Sequence, residues 1–356
     1  MERDTISMRQ LMAVLWAGLL GPAAELLPGS AARAGSLSAL GVVGAGVGML
    51  LSGWLLWRLT RESGGLARGV RARFGGLAGK VILFIYMVWF QLLFTLRLEG
   101  AARRLMGGGQ RDGAIWFFLV VLGGMALWFA RGSLGRFGRT GELMFVCLMV
   151  VGAVVFALAL GQVRGENLLT AREKSWADIP GLILHGSSVL GYGLYAAFLM
   201  EPKGMDAAGR IWIGWTAAGC LLLALAQVVM LGVYGPELTA RLDSPFFQLA
   251  KGVAVEGAFQ RVESVVAAVW TFSDLILLGG ILLAVRNIGG VLWPDAPGHS
   301  VVTVSALSGI VLGLTLSGGK YFGMIRLPWV VPAGGVLLGI IGPLLAISTK
   351  RPKPPG

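Results

Sequence analysis

"LWAGLLGPAAELLPG", Leu15 to Gly29, lies in the first apolar stretch of the chain and carries a Gly-Pro pair, a second proline and a carboxylate. A segment that otherwise reads as a lipid-spanning helix thus contains the residues that suit one least. Pro22 has no backbone N–H and disfavours a helical Gly21, so carbonyls a turn earlier lose their partners in a medium without water. Such a break is tolerated where the backbone lines a polar cavity or packs against other helices, and it marks a candidate ligand or ion site near the bilayer midplane. A simple proline kink is the alternative.

A second interruption decides how the first is read. In "LILHGSSVLGYGLYAAFLM", Leu182 to Met200, the run His185, Gly186, Ser187, Ser188 breaks another apolar segment, and Gly191 and Gly193 follow. Around both lies a chain of 356 residues, 56% apolar and 13% charged. Apolar runs long enough to cross the ~30 Å hydrocarbon layer recur along its whole length and leave no room for a sizeable soluble domain. They fall near 6–28, 36–57, 80–105, 113–131, 141–161, 179–200, 209–235, 262–286, 298–318 and 328–348, about ten spans in all. The first could also serve as a secretory signal, with Ala32-Arg33-Ala34 as a cleavage site, but Glu2 and Asp4 spoil the basic leader.

The interrupted spans are the first and the sixth, the opening members of two five-helix halves. Paired interruptions at corresponding positions point to an inverted-repeat transporter fold. The expected class is therefore an all-α integral membrane protein with a LeuT-like five-plus-five repeat and broken helices 1 and 6. It would form a single membrane domain over 1–356, with a first repeat over about 6–161 and a second over about 179–348. In that arrangement half-helix N-termini face an anionic group, while freed carbonyls coordinate a cation or an ammonium. An amino acid carries both groups.

The net charge of +12 belongs to topology rather than to nucleic acid, because the basic residues lie mostly between spans. Arg58, Arg61, Arg68, Arg71, Arg73 and Lys80 face one acid, Glu62, in the loop after span two, which marks that side as cytoplasmic. Both termini are expected there. Arg97, Arg103, Arg104 and Arg111 around the third loop are the exception. Cys147 and Cys220 lie alone in separate spans and read as small buried hydrophobes. Two histidines, His185 and His299, with no clustered Cys or carboxylates, give no support to a zinc site. Glycine makes up 56 residues, a share that suits closely packed membrane helices, and at that frequency the Gly44/Gly48 pair does not identify a dimer face.

Charges within spans are costly enough to be read as functional. Glu25 either reaches the interface near Pro28-Gly29 or faces the cavity. Asp274 lies deeper, with Thr271 and Ser273 close by in sequence, a set of oxygens suited to sodium, a proton or gating. The alternative is a carboxylate neutralised by a neighbouring helix. Tyr86, Gln91 and Gln227 sit at helix-packing depth, where interhelical hydrogen bonds are commoner than ligand contacts; Tyr86 joins the candidate ligand-binding set.

"ISMRQLMAVLWAGLLGPAAELLPG", Ile6 to Gly29, and "PFFQLAKGVAVEGAFQRVESVVAAVWTFSDLILL", Pro245 to Leu278, resemble the B subunit of spore germinant receptors, the spore permease family. Phe259, Arg261, Glu263 and Trp270 carry the more specific part of the likeness. The resemblance implies a member of the amino acid-polyamine-organocation superfamily in the inner membrane of a bacterial endospore, working beside an A subunit and a C-subunit lipoprotein. It implies a germinant, commonly an amino acid, bound at Gly18, Gly21 and Pro22 of span one and Gly186, Ser187 and Ser188 of span six. One departure stands out: family members often carry a basic residue within span eight, where this chain has Leu277 and only Asp274 is charged. Arg261 and Glu263, two apart, face different neighbours and serve either as subunit contacts or as juxtamembrane anchors.

Two functions follow. One is a receptor whose ligand favours one arrangement of the bundle and signals to partner subunits without chemistry on the ligand. The alternative is a proton- or sodium-coupled amino acid transporter using Asp274 or Glu25. An enzyme is not expected, since no nucleophile-base pair or metal cluster has workable spacing.

Overall fold

A computed structural model describes residues 5–26, 38–61, 65–107, 114–169, 179–200, 208–242, 245–252, 262–317 and 330–348, and among them the regular structure is helical throughout. Apolar runs in lipid have to satisfy their backbone internally, and helices do so within a single segment. The spans are α1 (Met8–Leu26), α2 (Ser38–Arg61), α4 (Gly76–Gly107), α5 (Ile115–Arg131), α6 (Leu134–Leu160), α8 (Ile179–Gly193) with α9 (Tyr195–Leu199), α10 (Ala208–Arg241), α12 (Val262–Leu292) and α13 (Gly298–Ser317). The last expected span is α14 (Val330–Val336), a π-turn (Leu337–Ile341) and α15 (Gly342–Ser348); α3 (Leu66–Phe74), α7 (Gly165–Leu169) and α11 (Pro245–Gly252) are short connectors. Among the described residues, six helices, α2, α4, α6, α10, α12 and α13, are long and apolar enough to cross a membrane.

The packing follows a matched scheme. α1 packs on α6, and α8 on α14; α4 packs on α5, and α12 on α13; α5 packs on α12, and α13 on α4. Each second contact is the first with every helix replaced by its counterpart in the other half. Helix α12 is the axis: 78% of its most apolar window is buried, against 17% for α6 at the rim. Near its C-terminal end Arg286 donates to the carbonyls of Ala130 and Gly132 at the end of α5, and Asn287 donates to the Phe198 carbonyl in α9.

Glycine sets how near the helices come. A Cβ on Gly219, Gly53 or Gly334 would lie 2.4, 2.2 and 2.2 Å from the rings of Trp16, Trp212 and Trp89, so three indoles seat directly on helix backbone. Gly44 faces Ile183 of α8 in the same way, which gives it a role inside the bundle. The interhelical role expected of Gln91 and Gln227 is met. Gln91 Nε2 donates to the Ser305 carbonyl and Gln227 Nε2 to Ser38 Oγ. Cys147 and Cys220 are free thiols.

A break in helical backbone lies where none was expected. In α10, Gly235 adopts φ +73° ahead of Pro236, a left-handed conformation that glycine enters without a Cβ penalty. Pro236 cannot donate to the Gly232 carbonyl. Asn167 Nδ2 and the Arg164 N–H of the α7 connector donate there instead, at 2.8 and 2.9 Å.

Candidate functional site

Pro22 lies inside α1, which is wound from Met8 to Leu26. The break read at Gly21-Pro22 is therefore not an unwinding: Pro22 withdraws only the donor to the Gly18 carbonyl, and the neighbouring rung is braced from another helix. Ser273 Oγ of α12 donates to the Ala17 carbonyl at 2.6 Å and accepts from the Gly21 N–H at 3.2 Å. These two backbone groups are the pair an i→i−4 bond would join directly, so one hydroxyl bridges the rungs of α1 at the turn that Pro22 weakens.

Beside that bridge lies a buried ion network. Asp274, the next residue of α12, pairs through Oδ1 with Arg97 of α4 and through Oδ2 with Arg104 at 2.5 Å. The side chains of Arg97 and Asp274 are each 3% exposed and that of Arg104 15%. One turn from these, Glu99 pairs with Arg103, which also donates to the Ser317 carbonyl at the end of α13. The absence of a side chain at Gly21 makes room for the network. A Cβ there would lie 2.3 Å from Arg97 Nη2, 3.0 Å from Ser273 Oγ and 3.3 Å from Asp274 Oδ1. Helices α1, α4 and α12 thus meet at a polar junction within an apolar bundle, where a charge is tolerated only with such partners.

Among the expected site residues, the structure brings together Gly18, Gly21, Pro22, Ser273 and Asp274. Thr271 stands apart, its hydroxyl donating to Ala267 of its own helix. Tyr86 donates to the Leu338 carbonyl at 2.6 Å and lies about 16 Å along α4 from Arg97, so it joins two helices rather than lining the junction. Gly186 is wound into α8 and faces α2, where a Cβ would meet Ala45 Cβ at 2.9 Å and the Gly41 carbonyl oxygen at 3.1 Å. Span six divides instead at Leu194, between α8 and α9, where the backbone itself stays helical (φ −60°, ψ −24°). There Tyr195 donates its hydroxyl to the Val14 carbonyl and lies against Gly18, and Gly193 faces Leu15 and Leu19. The side chains of Glu25, Ser187, Ser188 and Glu263, and the whole of Arg261, lie outside the described residues. Sequence reading missed Arg97, Arg104 and Tyr195. The signal was present, since Arg97 falls inside the expected span 80–105, where an ionisable residue is a functional candidate by default. It was counted instead with the loop charges.

Comparison with solved structures defines the class. The chain resembles MhsT in complex with L-phenylalanine (TM-score 0.65, 14% identity, 94% of this chain and 88% of that one). It equally resembles a Na+-coupled sialic acid symporter in its substrate-bound outward-open state (TM-score 0.65, 12% identity, 94% and 79%). At these identities the likeness shows the fold, the LeuT-like membrane fold. Within that class the chain belongs to the spore germination protein family, the spore permeases, whose profile matches residues 5–312. Among curated relatives it is similar to spore germination protein KB of Bacillus subtilis (strain 168), 20% identical over 274 residues, 74% of this chain and 72% of the relative. It is a multi-pass integral membrane protein of a non-enzymatic permease or receptor type.

Proposed function

We propose that this chain is the germinant-sensing subunit of a spore germinant receptor in the inner spore membrane, both termini cytoplasmic, and that it binds a small nutrient, an amino acid, at the α1–α4–α12 junction. The single observation that carries this reading is the Asp274–Arg97 pair held against the bare backbone of Gly21. A zwitterion has one charge for each member of that pair. Its carboxylate matches a guanidinium, bidentately where geometry allows, and its ammonium matches the carboxylate or a helix carbonyl. A ligand that exchanged partners with the pair would favour an arrangement in which α1 stands off from α12, and only such a difference in affinity shifts the balance.

In this reading Gly18, Gly21 and Pro22 form the α1 wall, Tyr195 closes it from span six, and Ser273 holds α1 until the ligand arrives. Gly186, Ser187 and Ser188 supply the supporting helix. The two halves, about 6–161 and 179–348, move against each other as repeats. The shift is read by an A subunit and a C-subunit lipoprotein, with Arg261 and Glu263 at the subunit contact. The second reading, ion-coupled amino acid transport, draws support from the fold shared with a Na+-coupled symporter.

Binding of labelled amino acids to the purified protein, followed by uptake into liposomes, separates the two. Saturable binding without uptake is expected, and loss of that binding in Gly21→Leu with normal membrane insertion. Concentrative uptake would establish the transporter; a Gly21→Leu variant that binds normally would remove the junction as the site.

A further inference from the structure

At the other end of α4 the bundle holds a cavity of about 240 Å³, set apart from the junction. Its walls are α4 and the last span, and α3 lies across it. The cavity exists because the last span cannot pack flush there. The π-turn Leu337–Ile341 widens the helix, Tyr86 takes up the Leu338 carbonyl, and Pro343 follows directly. Its lining is apolar, with Leu66, Val70 and Phe74 of α3 above and Ile85 and Leu337 at the lip. These last two are 48% and 52% exposed, so the slot opens sideways toward the acyl chains of the bilayer.

The rim has the opposite character. In "LARGVRARF" the residues Leu66, Val70 and Phe74 recur every fourth position and cover the slot, which leaves Arg68, Arg71 and Arg73 on the remaining surface of α3. Arg71 Nη1 donates to the Val291 carbonyl at 3.0 Å and Arg73 Nη2 to the Ile347 carbonyl at 2.7 Å, so both guanidinium groups are fixed over helix ends. Gly79 lets α4 come close: a Cβ there would lie 2.8 Å from Arg71 Cα, and the exposed Lys80 is the next residue of α4. Among the described residues, neither α3 nor the lining contains a carboxylate.

We infer that this slot is a binding site for an anionic phospholipid, with an acyl chain between α4 and the last span and the phosphate against Arg71 and Lys80. The apolar slot selects a lipid over free phosphate. The basic rim selects an anionic headgroup over choline, whose own cation opposes it. Basic pockets between membrane helices at the water boundary recognise lipid headgroups by this combination.

The test is native mass spectrometry of the full-length protein from mixed micelles containing phosphatidylglycerol and phosphatidylcholine with the same acyl chains. Preferential retention of phosphatidylglycerol is expected. Lys80→Gln should weaken that preference about fivefold, the effect of one basic residue near a membrane surface. Arg71→Gln should do the same, but it also removes the bond to Val291; Lys80→Gln, at an exposed position, separates charge from folding. Leu337→Trp, which fills the lip without changing charge, should reduce retention of both lipids. Equal retention of the two lipids in the unmodified protein would overturn the inference. So would a phosphatidylglycerol preference indifferent to Lys80→Gln and Leu337→Trp, or glycerol phosphate displacing the lipid without an acyl chain.

Discussion

Asp274 is held by two guanidinium groups in a largely buried helix, and the energetics of that arrangement are asymmetric. Removing one partner of a buried pair costs about 3–5 kcal/mol, because the other charge is left in a low-dielectric surrounding. Removing both need not. Asp274→Asn leaves Arg97 and Arg104 facing a neutral amide and should produce a loss of that size, whereas Arg97→Gln leaves Asp274 its bond to Arg104 and should cost less. The double variant should lose less than the sum of the two, with a coupling of about 1–3 kcal/mol. Denaturant titration in micelles of the single and double variants measures this. Strictly additive losses would mean that the two groups do not act as a pair. Sequence alone located Asp274 and Ser273 at this point, because a carboxylate and a hydroxyl in an apolar run are conspicuous. Their partner was legible only as a class of residue, since nothing in a sequence says which face of α4 turns toward α12.

Helices α1, α8 and α10 show what proline and glycine do and do not reveal at the level of an element. Gly21-Pro22 was read as an unwound turn, yet α1 stays wound through it, with a hydroxyl from α12 bridging the rung beside the one that Pro22 removes. Gly235-Pro236 drew no comment and is the one positive-φ break inside a described span. A dipeptide states that one backbone bond is lost, and whether the helix opens depends on tertiary contacts that local sequence does not contain, such as the Asn167 and Arg164 donors that take up the Gly232 carbonyl where α10 does open. Glycine is likewise ambiguous until its neighbour is known. Gly219 and Gly214 lie on the same helix, but a Cβ on the first would strike the Trp16 ring at 2.4 Å and one on the second meets nothing within 4 Å. Gly219→Ala should therefore destabilise by about 1–3 kcal/mol through overpacking against a rigid indole, while Gly214→Ala should cause no loss. Thermal unfolding of both variants in the same detergent tests this, and equal shifts would show that the indole yields.

Across the whole molecule, the bundle was readable because a bilayer leaves few choices: run length located the spans, and polar interruptions of the sequence five spans apart pointed to the repeat, although α1 and α8 are wound through both. What the fold does with ions was not readable, because LeuT-like proteins share helices without sharing ligands. A Na+-coupled symporter has this fold. Here Asp274 already holds Arg97 and Arg104, and the neighbouring Ser273 hydroxyl is engaged with Ala17 and Gly21. A sodium ion at Asp274 would have to displace a guanidinium that carries the same charge and is covalently tethered, so its effective concentration never falls. Ligand binding should accordingly be the same in sodium, potassium or choline chloride at equal ionic strength. Arg97→Ala vacates one carboxylate oxygen beside Ser273 and should leave a protein whose melting temperature rises with sodium, a hard cation that oxygen ligands suit. Calorimetric titration of ligand in the three salts and melting curves of the variant across sodium concentration check both parts. Sodium-dependent binding in the unmodified protein would show that Arg97 does not take the place of a coupling ion.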